Sequence, residues 1–136
     1  MKVGISTASL FSRKNNEEAL PLFDALGVGT AEVFLTSFSE YDKAFGKLLN
    51  GVEIHSVQLL NTQFEPQLFN SNPRVCGDAF YWLGRTMEAA REFGAKYYTF
   101  HGIARIKRAS RSGENDPFPA WGKTLEKISA FCAAYG

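Results

Sequence analysis

The chain is poor in the residues that most often carry chemistry: its 136 residues include two histidines and two cysteines, and Lys plus Arg (15) nearly balances Asp plus Glu (14). That balance excludes a global nucleic-acid clamp or an acidic tail. No stretch approaches the roughly 18 apolar residues of a membrane helix, so no membrane partner is expected. Cys76 and Cys132 are far apart and fall in helical patterns, a spacing that suits neither a zinc motif nor a disulfide framework. No apolar run follows Lys2, so MKVGIST reads as a strand and not as a signal peptide. A cytoplasmic protein with reduced thiols is expected. The turn after that first strand, STASLFS, contains no glycine, unlike the phosphate-binding turn of doubly wound nucleotide folds.

What is present is a regular alternation. An apolar fraction of 45% with 12 Phe is enough for one globular core, and the length gives a single domain over 1–136. Strands are expected at Lys2–Thr7, Thr30–Thr36, Val52–Leu59 and Lys96–Gly102. Between them lie a helix capped near Asn15 and ending at Gly27, a helix over Ser39–Asn50, and a long helix opening at Pro73. A last helix starts at Asp116-Pro117. Pro21 falls inside the first of these, which leaves its boundary open. In the long helix Val75, Ala79, Leu83, Met87, Ala90 and Phe93 recur at helical spacing. Four βα units mean a parallel sheet with right-handed crossovers. Two architectures fit: a small doubly wound parallel sheet, or the first half of a (β/α)8 TIM barrel of about 250 residues. The glycine-free first turn favours the half barrel, as does the ending FCAAYG, where a further strand would ordinarily follow. Its open sheet edges and inner face would make it a possible homo-oligomer.

His55 and His101 each sit near the end of a short apolar run, and parallel sheets present ligands at their carboxyl ends. Both imidazoles are therefore expected on one rim, where a neutral ring is a common metal ligand. Two histidines alone do not complete a zinc site. Glu32, in the second strand, is either a barrel-interior carboxylate or a solvated edge residue. Gln58 and Asn61 are candidates for contacting substrate hydroxyls. Asn61–Asn72 is a loop of about twice the median length. A basic run, Arg105, Lys107, Arg108 and Arg111, either grips a phosphate or is a solvated loop.

Three motifs carry a resemblance. ALGVGTAEVFL places Glu32 in strand two, His55-Ser-Val-Gln-Leu-Leu-Asn61 spaces a histidine and an asparagine six apart, and Thr99-Phe100-His101-Gly102 ends strand four. Together with the βα spacing along nearly all of the chain, they resemble the xylose isomerase-like TIM-barrel superfamily. That group includes sugar isomerases and epimerases and the endonuclease IV type of apurinic endonucleases. The resemblance implies Glu32 as a catalytic residue, His55 and His101 as metal ligands, and Gln58, Asn61 and Arg105 as substrate-binding residues. It also implies a divalent metal (Zn, Mn or Mg) in a full-length parent, with none required in a fragment, and a small sugar or sugar phosphate as partner. The reaction would be metal-assisted proton transfer next to a carbonyl, with most metal ligands on strands beyond this chain. Nucleic acid is a partner only under the endonuclease alternative. That branch's aromatic residue three after the strand-three histidine is Gln58 here, and its His-Pro-Gly lacks the proline, which tilts the reading toward sugars. A third reading is a non-catalytic half barrel that self-associates.

Overall fold

The computed structural model describes residues 3–42, 45–59, 64–102 and 118–135. Asn61, Arg105 and the rest of the basic run to Arg111 lie outside them. Four strands, β1 (Ile5–Ser6), β2 (Thr30–Leu35), β3 (Glu53–Leu59) and β4 (Tyr97–Thr99), form one sheet in the order β1-β2-β3-β4, every pair parallel. A doubly wound sheet reverses its strand order at a switch point. Here the order is sequential throughout, which is the order of a barrel wall. Among the described residues three α-helices follow strands: α1 (Asn16–Ala25), α2 (Pro73–Glu92) and α3 (Phe118–Ala133). No helix among the described residues is long and apolar enough to cross a membrane.

The described chain divides into two compact units, residues 1–60 with 85–100, and residues 61–84 with 101–136. The first holds the sheet. Strand alternation sends Ala31, Val33 and Leu35 of β2 and Val57 and Leu59 of β3 to one face, where all are at most 1% exposed. Leu20 and Ala19 of α1 are equally buried. Burying each such leucine contributes roughly 2 kcal/mol. In α1 the Asn15 amide donates to the Glu18 carboxylate at 2.9 Å, a reciprocal cap that fixes the helix start. Held there and by its apolar stripe, α1 continues through the exposed Pro21.

The second unit packs around Phe64, Leu68, Ala79, Leu83 and Ile128, all buried. Phe80 meets Phe131 edge to face at 5.2 Å, and the Lys127 ammonium lies 4.4 Å from the centre of the Phe80 ring. Asn72 caps α2 by accepting from the Arg74 amide at 3.0 Å.

The helix expected after β2 and the lengths of two strands are corrected. Ser39–Asn50 is not an α-helix but two 3-10 turns, Phe38–Tyr41 and Phe45–Leu48. The cause is Glu40: its buried carboxylate accepts from the Thr36 and Ser37 amides at 2.6 and 2.8 Å and from the Asn16 side chain at 2.7 Å. Those bonds fold the chain back on itself, and Asp42 then adopts an extended backbone. The first and fourth strands are also shorter than expected. Thr7 turns into a 3-10 segment, and β4 stops at Thr99, so His101 lies beyond it. Finally, the loop before α2 contains a 3-10 turn, Glu65–Phe69, that buries Glu65 completely.

Candidate active face of the sheet

The sheet face opposite the apolar core carries Glu32, Ser56, Gln58 and Thr99 among the aromatic Phe34 and Tyr97. Register places Ser6 beside Glu32, Glu32 beside Ser56, and Gln58 beside Thr99. Alternation along β2 turns Glu32 away from Ala31 and Val33 and onto this face. There its Oε2 accepts from the Thr99 hydroxyl at 2.6 Å and the Ser56 hydroxyl at 3.0 Å. One carboxylate oxygen is thus anchored by two neighbouring strands, and Oε1 takes no hydrogen bond among the described residues. Gln58 donates to the Ser6 hydroxyl at 2.8 Å, which orients its amide across the same face. Sequence reading missed Ser6, Ser56 and Thr99; strict period-two pairing from a fixed register would have found them, but the register is not written in the sequence.

His55 does not lie at the carboxyl end of its strand. Ala31 pairs with Ile54 while Glu32 pairs with Ser56, which makes His55 the extra residue of a bulge in the amino-terminal half of β3. Its ring is exposed and tilted against Tyr97 at 4.8 Å, and its carbonyl accepts from the Lys96 amide. The strand continues to Leu59, so this histidine marks its beginning and not its end.

His101 follows β4 by two residues and belongs to the second unit. Its backbone amide donates to Glu65 Oε2 at 3.0 Å, and that same oxygen stands 3.6 Å from Nδ1. A wholly buried carboxylate beside the ring favours a proton on Nδ1 and leaves Nε2 as the lone-pair nitrogen. Sequence reading passed over Glu65, although a glutamate before Pro66 in a loop rich in Phe was the available signal. Among the described residues no three His, Cys, Asp or Glu side chains are grouped to hold a metal ion.

The sequential, all-parallel four-stranded sheet has the strand order of half a β/α barrel. The fold is similar to that of a xylose isomerase domain protein from Planctomyces limnophilus, with a TM-score of 0.64 over 98% of this chain and 51% of that one. The chain spans about half the length of that protein, and at 10% identity the likeness is one of fold. No family model and no curated protein matches the sequence.

Proposed function

We propose that the chain supplies part of the active face of a sugar isomerase or epimerase, in which Glu32 moves a proton to and from the carbon beside a carbonyl. The observation that carries this is the asymmetry of the Glu32 carboxylate, with Oε2 fixed by Thr99 and Ser56 and Oε1 open. A base must be aimed before it is useful, and two short hydroxyl bonds aim this one. Gln58, oriented by Ser6, keeps its amide oxygen free for a substrate hydroxyl. Metal ligation by His101, with Glu65 behind its Nδ1, belongs to the same reading; a divalent zinc, manganese or magnesium ion would supply Lewis acidity when bound. Substrate contacts from Asn61 and Arg105 belong to the same reading. The barrel fold shared with a xylose isomerase domain protein supports it.

The test is exchange of the carbon-bound proton with D2O, followed by NMR, for aldoses, ketoses and their phosphates with each metal ion added in turn. Glu32→Gln is expected to slow exchange about 100-fold or more. An unchanged rate in that variant, or no exchange with any combination, rejects the proposal.

One observation favours self-association as a second reading: β1 and β4 each pair with a single strand, leaving both sheet edges open among the described residues. Light scattering that returns a dimer supports it, and a monomer at all concentrations removes it.

A further inference from the structure

Asn50-Gly51 is the single Asn-Gly pair in the chain, and it lies between the 3-10 turn Phe45–Leu48 and β3. Glycine obstructs least the approach of an asparagine side chain to the next backbone nitrogen, because no Cβ stands in the way. Both residues are exposed, so water reaches them. The amides of Leu49 and Glu53 donate to the Gly46 and Gly29 carbonyls, whereas the Gly51 amide meets no acceptor among the described residues. The Asn50 side chain is held by one contact, from its nitrogen to the Leu48 carbonyl at 3.3 Å.

Asn16, Asn70 and Asn72 are tied down more firmly. Asn16 is buried and donates to the Phe34 carbonyl at 3.0 Å and to Glu40 Oε1 at 2.7 Å. Asn70 donates to Gln67 Oε1 at 3.2 Å while its own oxygen accepts from the Asn72 amide at 2.9 Å. Asn72 accepts from the Arg74 amide at 3.0 Å and precedes Pro73, whose nitrogen has no proton to lose. The fold also holds glycine at position 51, where φ is 110° and a Cβ would stand 3.2 Å from Asp24 Cβ. The reactive pair is therefore built into the turn.

We infer that Asn50 is a self-modification site at which the chain's own Gly51 nitrogen is the nucleophile and water the co-reactant. The Gly51 nitrogen gives its proton to solvent and bonds to Asn50 Cγ. The Cγ–Nδ2 bond breaks, and the nitrogen leaves as ammonia with a proton from water. Water then opens the resulting succinimide ring at either carbonyl. One opening leaves aspartate; the other leaves isoaspartate, with the main chain rerouted through the former side chain. The sum is amide plus water to carboxylic acid plus ammonia, and nothing is oxidised or reduced. Isoaspartate lengthens the main chain just before the Glu53 amide, which pairs with the Gly29 carbonyl at 3.2 Å where β3 begins. The inference does not depend on the role proposed for Glu32.

The test is incubation of the purified chain at neutral pH and body temperature, with tryptic digestion at intervals. Cleavage after Lys47 and Arg74 releases Leu48–Arg74, which carries Asn50, Asn61, Asn70 and Asn72. Fragmentation in a mass spectrometer places the gain of about 1 Da that accompanies replacement of NH2 by OH. The gain is expected first at Asn50, at a rate within about tenfold of that in the isolated Leu48–Arg74 peptide, because an exposed turn has little local stability to hold it closed. Both aspartate and isoaspartate are expected at that position. A rate more than about tenfold below that of the peptide overturns the inference, because the fold then protects the pair. A first gain at Asn61, Asn70 or Asn72 overturns the assignment to Asn50. Aspartate without isoaspartate overturns attack by Gly51, since direct hydrolysis of the side chain gives aspartate alone.

Discussion

Glu65 Oε2 accepts the backbone amide of His101 at 3.0 Å and stands 3.6 Å from the same residue's ring nitrogen. The amide bond meets hydrogen-bond geometry, whereas the ring contact lies at ion-pair distance. Removing the carboxylate strands a part-buried amide donor and empties a fully buried side-chain position; removing the ring does neither. Glu65→Ala is therefore expected to cost about 2 kcal/mol in urea denaturation, and His101→Ala under about 1 kcal/mol. Equal costs would show that the imidazole, not the amide, is the partner that matters.

Thr99 donates the shorter of the two bonds to Glu32, at 2.6 Å, from an exposed position at the end of β4. Thr99→Val keeps the β-branched shape and deletes the donor. Stability should change by less than about 1 kcal/mol, while proton exchange, if Glu32 is the base, should slow about tenfold or more through loss of aim. Both quantities come from one preparation, by thermal melting and by deuterium exchange. A variant that exchanges at the full rate removes Thr99 from the mechanism.

The Asn15 amide, and after it the Lys14 ammonium, hold the Glu18 carboxyl below its ordinary range. A group whose folded value is lowered stabilises the fold above its unfolded value and loses that contribution as pH falls through the lower, folded one. The start of α1 should thus weaken on acidification below about pH 4. Glu18→Gln should be less stable than the wild type at neutral pH, and the difference should vanish at about pH 2. Melting curves at the two pH values decide it; a difference that persists in acid contradicts the assignment.

Gly51 closes the segment before β3 with φ of 110°, a conformation that side chains rarely adopt. A Cβ there would also stand 3.2 Å from Asp24 Cβ and 3.3 Å from the Leu20 carbonyl oxygen, atoms of α1 with little room to move. Gly51→Ala should cost about 2 kcal/mol, measured by the denaturation midpoint. A loss below about 0.5 kcal/mol would mean that the turn relaxes freely.

Much of the fold was legible because it is set by local periodicity. The stripe Ala79, Leu83, Met87 and Ala90 is buried as its spacing requires, Asn72 and Asn15 cap the helices they precede, and Gly27 and Gly94 take positive φ at helix ends. The segment after β2 was not legible. Its apolar pattern over Tyr41, Phe45 and Leu48 suits a helix, but the Glu40 carboxylate captures two backbone amides and an asparagine from α1. A bond between residues 24 apart in sequence leaves no local trace.

The same division runs through the candidate site. Sequence by itself determined four strands, the helices after the first, third and fourth of them, and the burial of one strand face, since these follow from the period of apolar residues. Tertiary structure alone decided that Glu32 meets Ser56 and Thr99, that His55 is the extra residue of a bulge, and that a buried Glu65 stands behind His101. Register and loop return are fixed by contacts between distant segments, and a one-residue shift in either would send every one of these side chains elsewhere.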